Sequence, residues 1–159
     1  MIRPVTPEDT DSLLALATAT GLFDAGELDQ LRAMLSAFHD GSGTLGEFWL
    51  IDDDSGAVGV VYCAPERMTE GTWNLYLIGV HPDRQREGRG AALLTHVEQK
   101  LRSQGERVLL VETMGVSDFE YVRAFYRNAG YHEEARIRDF YRAGQDKIVY
   151  WKSLVNGTA

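Results

Sequence analysis

The chain contains little cysteine, little proline and no long apolar run. Cys63 is the single cysteine among 159 residues, so no disulfide can form within the chain. No apolar stretch approaches the roughly 20 residues that a membrane-spanning helix needs. Residues 1–4 are soon followed by acidic residues and do not have the pattern of a signal peptide. These absences predict a cytoplasmic protein that does not bind a membrane.

Positive charge is also scarce. The chain has 16 Lys and Arg residues against 24 Asp and Glu residues, a net charge of −8. Nucleic-acid binding depends on clustered basic side chains, so we expect no nucleic-acid partner. No group of His, Cys, Asp and Glu has metal-ligand spacing, and we expect no metal. The acidic balance permits a cationic substrate, although it is also a common means of keeping proteins soluble.

The most informative segment is an apolar strand that leads through a glycine-containing loop into an amphipathic helix. Gly88 and Gly90 stand where this helix begins. Glycines let a backbone approach a ligand closely, and the unpaired N–H groups of a first helical turn attract anions. The residue after Gly90 is not the Lys of a Walker A loop, and Leu93 stands where a dinucleotide fingerprint needs Gly or Ala. Three arginines add positive charge to the loop: Arg84, Arg86 and Arg89.

Hydrophobic periodicity and turn residues predict a single α/β (α+β) domain over residues 1–154, with a short tail at residues 155–159. Strands are predicted at 2–5, 47–52, 57–64, 72–80, 107–113, 131–141 and 147–154, and helices at 7–20, 24–39, 89–103 and 117–130. The order is therefore β-α-α-β-β-β-α-β-α-β-β. Ser117 and Glu120 have the spacing of a capping box for the last helix. Two strands around one long helix predict a central parallel βαβ pair in a mostly antiparallel sheet.

Two segments resemble the signatures of a known family. Gln85-Arg86-Glu87-Gly88-Arg89-Gly90 resembles the acyl-CoA signature of the GNAT (Gcn5-related) N-acetyltransferases: Gln or Arg, two residues, Gly, one residue, then Gly or Ala. Residues 78–82 resemble that family's fourth strand and its exit, and residues 124–131 resemble its second signature, in which an aromatic residue follows Gly. The order of elements also matches. The resemblance therefore covers residues 1–154.

This resemblance implies an acetyl-CoA-dependent N-acetyltransferase that uses acetyl-CoA as a co-substrate and needs no metal. The enzyme would move the acetyl group to a primary amine of a small molecule or protein by direct attack in a ternary complex. The backbone near the glycines would bind the CoA pyrophosphate, and Ile78 and Val80 would bind the pantetheine arm. The amide of Val80 would also polarise the thioester carbonyl, as in an oxyanion hole. The implied cofactor-binding residues are Ile78, Gly79, Val80, Gln85, Arg86, Glu87, Gly88, Arg89, Gly90, Ala91 and Tyr126.

The resemblance also implies that Tyr126 is the general acid. A phenol, with an ordinary pKa of about 10, can share or deliver a proton to a departing thiolate. Helical spacing also places Tyr126 on the apolar side of its helix, as expected of an ordinary core aromatic. Both roles stay open at this point.

The sequence assigns no general base firmly. Family members that use a strand-four glutamate carry it six residues before the position of Val80, and Asn74 stands there in this chain. Tyr76 follows on the same strand face. Glu112 is the one carboxylate in an apolar strand, which makes it a candidate base or one half of a structural pair with an arginine. A water chain could also remove the proton.

The sequence leaves other hypotheses open. Asn74 in place of an acid would also suit a non-catalytic acyl-CoA-binding sensor or regulatory module. Transfer of a longer acyl group is a third alternative. Residues 138–141 could line the acceptor site or simply pair strands. The acceptor is unidentified. The resemblance is compatible with a homodimer, an assembly that is common in the family.

Overall fold

The structure, a computed structural model, describes residues 1–155 and contains seven strands and four α-helices within that range. The strands are β1 (Ile2–Pro4), β2 (Phe48–Asp53), β3 (Ala57–Pro65), β4 (Thr72–Val80), β5 (Val108–Met114), β6 (His132–Arg142) and β7 (Gln145–Ser153). The helices are α1 (Thr10–Thr20), α2 (Ala25–Asp40), α3 (Arg89–Ser103) and α4 (Glu120–Asn128). The predicted order of elements is confirmed. Apart from Val155, the predicted tail lies outside the described residues.

The strands form one sheet in the order β1-β2-β3-β4-β5-β7-β6. β4 and β5 are parallel, in a register that runs from Thr72 opposite Val108 to Leu75 opposite Val111. β1 with β2, β2 with β3, β5 with β7 and β6 with β7 are antiparallel. The predicted mixed sheet with one parallel pair is therefore confirmed.

The chain packs as two compact units. The first comprises Met1–Pro65 and Leu77–Val97. Its core lies where α1 and α2 pack on β2 and β3, around Leu16, Leu35 and Trp49, which are almost fully buried. A capping box begins α2: the Asp24 side chain accepts a bond from the Glu27 N–H, and the Glu27 side chain accepts one from the Asp24 N–H, both at 2.8 Å.

The second unit comprises Glu66–Tyr76 and the chain from Glu98 onward. Its core contains the start of β4, the end of α3, β5 and β7, with Leu109, Ile148 and Tyr150 fully buried. Arg123 of α4 is also buried. Its Nη1 donates hydrogen bonds to the carbonyl oxygens of Met114 and Val116 at 2.9 and 2.8 Å, which satisfy the buried guanidinium. These bonds fix the first turn of α4 to the end of β5.

The edge strand β6 differs from the regular strand that the sequence predicts. Every residue of β6 is exposed, and its register with β7 shifts between Ile137 and Arg142. Asp139 has a left-handed backbone (φ 54°), and its side chain accepts a bond from Gly144 at 2.8 Å.

No helix within residues 1–155 combines the length and apolarity needed to cross a bilayer.

Candidate acyl-CoA site and catalytic residues

The loop between β4 and α3 has the backbone geometry of an anion-binding nest. A short 3-10 turn at Pro82–Arg84 follows the strand, and α3 begins at Arg89. Arg86 (φ 64°) and Gly88 (φ 79°) both adopt the left-handed conformation, separated by one residue. Alternation between left- and right-handed backbone points successive N–H groups into a common concavity, which binds anions.

The first turn of α3 extends this donor surface. Ala92 donates its N–H to the carbonyl of Gly88 at 3.0 Å, which closes the first turn of the helix. The N–H groups that precede it in the turn have no intrahelical acceptor, and the positive end of the helix dipole adds to their attraction for anions. Residues 85–91, the loop residues that the sequence predicts to bind the cofactor, comprise this turn and the left-handed segment before it.

Gln85 connects this loop to the exit of β4. Its side-chain Nε2 donates to the carbonyl oxygen of Val80 at 3.3 Å. Ile78, Gly79 and Val80 are half-buried residues in the last part of β4. The predicted pyrophosphate and pantetheine residues of the first unit are thus joined by a direct contact between the signature glutamine and the strand.

Two of the three loop arginines are bound by acidic side chains. Arg89 contacts Asp52 at 2.9 Å, Asp54 at 2.8 Å and Glu87 at 2.8 Å, and Arg84 contacts Asp54 and Glu87. Glu87 and Asp52 raise the pKa of Arg89, and Arg89 and Arg84 lower the pKa of Glu87. Their charges are therefore largely neutralised, and they hold the loop on the β2–β3 hairpin. The sequence predicts their charge but not these partners.

Arg86 differs from these two arginines. It is exposed, and it forms no ion pair with any side chain in the part of the chain that the structure describes. Its guanidinium is therefore the loop charge that is available for a ligand.

A small apolar pocket lies beside Ile78 and Gly79 in the first unit. Residues of α1, α2, β2 and β3 line it, among them Leu13, Leu35 and Trp49. The lining contains no charged side chain, so this pocket suits an apolar group and not an ammonium.

Tyr126 lies in an aromatic cluster of the second unit. It is 3 % exposed, and its ring centroid lies 5.2 Å from that of Phe125 and 5.8 Å from those of Tyr131 and Tyr150. Burial raises the pKa of its phenol, because the anionic form loses hydration. The buried packing agrees with the core role that the helical pattern suggests. It also ensures that the hydroxyl keeps its proton at neutral pH.

Glu112 pairs with a lysine and not with an arginine, the structural partner that the sequence suggests. Its Oε1 forms an ion pair with Lys147 Nζ at 2.9 Å and accepts a hydrogen bond from Asn74 Nδ2 at 3.0 Å. Lys147 also lies 4.3 Å from the centroid of the Phe140 ring, within β6. Among the described residues of the second unit, no hydrogen bond joins Glu112 to Tyr126.

Glu66 also contacts Asn74 and was not predicted from the sequence. Its Oε1 accepts bonds from Asn74 Nδ2 and from the Tyr76 hydroxyl, both at 2.9 Å. The sequence between β3 and β4 has the composition of an ordinary loop. The position of Glu66 directly after an apolar strand is the one sequence feature that could have indicated a role for this carboxylate. Residues 1–155 contain no group of three or more His, Cys, Asp and Glu side chains arranged to hold a metal ion.

Comparison with known proteins identifies the class of this fold. The profile described as Acetyltransferase (GNAT) domain matches residues 44–133, more than half of the chain. No curated protein sequence matches the chain. A crystal structure from Desulfovibrio desulfuricans, of a protein assigned to the GNAT family of acetyltransferases, is 34% identical with a TM-score of 0.91, and the match covers 98% of this chain and 99% of that one.

More distant structures share the fold. The ribosomal-protein-S18-alanine N-acetyltransferase of Escherichia coli is 19% identical, with a TM-score of 0.76 and coverage of 100% of this chain and 98% of that one. The protein yncA of Salmonella typhimurium, solved with its cofactor acetyl-CoA, is 18% identical, with a TM-score of 0.76 and coverage of 100% and 96%. The fold and the matched profile together show that the chain belongs to the GNAT acetyltransferase family.

Proposed function

We propose that this protein transfers an acetyl group from acetyl-CoA to a primary amine by direct attack in a ternary complex. The nest at the start of α3 carries this proposal, because its left-handed residues Arg86 and Gly88 lie within the family signature for acyl-CoA. Cytoplasm is the proposed compartment, as the sequence predicts.

The first unit would bind the cofactor. The N–H groups of residues 85–91 would surround the pyrophosphate, and Arg86 would supply a guanidinium that no acidic partner neutralises. Ile78 and Val80 would pair with the pantetheine arm through backbone hydrogen bonds, as an added strand. The Val80 amide would then stabilise charge on the thioester oxygen. The yncA protein, which has the same fold, was solved with acetyl-CoA, and this supports the assignment.

The second unit would supply the acid and the base. The buried phenol of Tyr126 remains protonated, so it can donate to the CoA sulfur as negative charge develops there. Glu112, held by Asn74 and Lys147, would accept the proton that the ammonium must lose before it attacks. The neutral amine then forms the C–N bond, the C–S bond breaks, and the thiolate takes the proton of Tyr126 and leaves as a thiol. The second proton, which the nitrogen loses on becoming an amide, restores the Tyr126 phenol through solvent. The proton held by Glu112 passes to solvent.

Direct attack is supported by the state of the only cysteine. Cys63 is fully buried, and burial raises the pKa of its thiol. A thiol must be accessible and ionised to act as a nucleophile. Cys63 meets neither requirement, so we propose no acyl-cysteine intermediate.

The general-acid role predicts a specific defect in Tyr126→Phe. The substitution removes only the hydroxyl, and general acid–base catalysis contributes about 10²- to 10⁴-fold. We expect kcat for amine-dependent release of free thiol from acetyl-CoA to fall by about 10²-fold or more. The dissociation constant for acetyl-CoA, measured by calorimetry, should change less than about threefold.

Tyr121→Phe provides the matched control, because Tyr121 lies on the same helix and is 63% exposed. It should retain wild-type turnover. Equal losses of turnover and of acetyl-CoA affinity in Tyr126→Phe would remove the acid role. Tight binding of acetyl-CoA by the wild-type protein without turnover of any amine would instead indicate a sensor or regulatory module.

A further inference from the structure

Three side chains of the second unit form an arrangement that the acid and base roles leave partly unexplained. Asn74 is fully buried, and its Nδ2 donates to Glu66 at 2.9 Å and to Glu112 at 3.0 Å. One amide therefore bridges two carboxylates. Like charges repel, and this repulsion is screened less in a half-buried pair than at an exposed surface, so cations near the pair stabilise it.

Only one of the two carboxylates has a cation. Glu112 pairs with Lys147 at 2.9 Å. Glu66 accepts bonds only from neutral donors, the Asn74 amide and the Tyr76 hydroxyl, and no cationic nitrogen of residues 1–155 lies within 4.0 Å of it. The cluster therefore carries one uncompensated negative charge on a half-buried side chain.

The acceptor atom of Asn74, its buried Oδ1, has no hydrogen-bond partner among the described residues. Buried polar atoms are nearly always satisfied, so an unpaired acceptor at a site with excess negative charge points to a missing group that donates N–H bonds and is positively charged. An alkylammonium group has both properties.

We infer that the Glu66–Asn74–Glu112 cluster binds the ammonium group of the acceptor. The ammonium donates to Asn74 Oδ1 and forms an ion pair with Glu66. Glu112, which accepts a hydrogen bond from the same Asn74 amide, receives a proton from the ammonium. This inference rests on the proposed function and adds the class of acceptor. The acceptor is a cationic primary amine with no carboxylate beside its amino group, because a third carboxylate would be repelled.

The kinetic test uses Glu66→Gln and, as a control, Glu70→Gln, which changes an exposed carboxylate in the same β3–β4 connection. Loss of a charge-assisted bond predicts an amine KM at least about tenfold higher in Glu66→Gln. The KM for acetyl-CoA should be unchanged, and Glu70→Gln should alter neither constant. Glu66→Asp keeps the charge and should regain most of the affinity for the amine. An amine KM in Glu66→Gln equal to that of Glu70→Gln would overturn the inference.

A binding test separates this inference from the proposed function, since it needs no turnover. The side-chain amide signals of Asn74, assigned by their loss in Asn74→Asp, are followed by NMR as butylammonium chloride is added to the full chain. We expect them to shift in the wild type, to shift far less in Glu66→Gln, and to respond to neither butanol nor butyrate. Equal responses to all three probes, or no response to butylammonium, would contradict the ammonium site even in an active enzyme.

Discussion

Arg86 and Arg89 lie in the same loop but have opposite surroundings. Arg86 is exposed and forms no ion pair in the described part of the chain, whereas the Arg89 side chain is 20% exposed and contacts Asp52, which is 4% exposed. A buried carboxylate that loses its cation retains its desolvation cost. One arginine therefore remains available for the ligand, and the other stabilises the loop.

This difference predicts that the two arginines affect different properties. Arg89→Met should lower the free energy of unfolding, because it leaves the buried Asp52 carboxylate without its guanidinium partner. Arg86→Met should change stability by less than about 0.5 kcal/mol. It should nevertheless weaken acetyl-CoA binding, because it removes the unpaired guanidinium.

Urea denaturation and calorimetric titration with acetyl-CoA measure the two effects. If Arg86→Met were the destabilising variant, or left acetyl-CoA affinity unchanged, the proposed separation of ligand and scaffold charges would be wrong.

The chemical types of the site residues were predictable from the sequence, but their partners were not. Glu112 stood out as the single carboxylate of an apolar strand, yet its partner is Lys147, opposite Met114 at the start of β7. Glu66 gave no signal of its own, because its contact with Asn74 depends on how the β3–β4 connection folds back. Such contacts depend on strand register, which alternation patterns do not specify.

At the scale of elements, local signals accounted for most boundaries. β4 lies at Thr72–Val80 and α3 at Arg89–Ser103, both as predicted. The capping box predicted at Ser117 does not form. Ser117 begins a 3-10 turn, and the Glu120 carboxylate binds Arg123 Nη2 at 2.9 Å instead. The buried arginine competes for the acid, and this competition depends on tertiary contacts.

The left-handed glycine in the loop before α3 should affect both stability and cofactor binding. Gly88 has φ 79°, and the space that an added methyl group would occupy is open, so Gly88→Ala adds backbone strain without a steric clash. We expect it to cost about 1 kcal/mol of stability and to weaken acetyl-CoA binding at least about tenfold, since strain is relieved by distorting the nest.

Gly105→Ala is the matched control, because Gly105 has φ 77° and equally open surroundings just beyond the other end of α3. It should cost similar stability and leave acetyl-CoA affinity unchanged. Equal losses of affinity in both variants would show that general destabilisation, and not the nest, is responsible.

At the scale of the whole molecule, the sequence predicted the topology because few topologies satisfy the order of elements. A long helix between two strands requires a parallel pair, and the structure has it at β4 and β5. The net charge of −8 does not show which basic side chains the acidic residues contact. The structure uses many of them in pairs, such as Asp52 with Arg89. Long-range pairs of this kind depend on the complete fold and are therefore not visible in the sequence.

The proposed function requires that one acetyl group passes directly from acetyl-CoA to an amine while both are bound. The most direct test is an initial-velocity study in which acetyl-CoA is varied at several fixed amine concentrations, with the acetylated amine quantified by mass spectrometry. We predict intersecting double-reciprocal lines and one acetylated amine for each thiol released. Parallel lines, or thiol release without acetylated amine, would contradict direct transfer in a ternary complex.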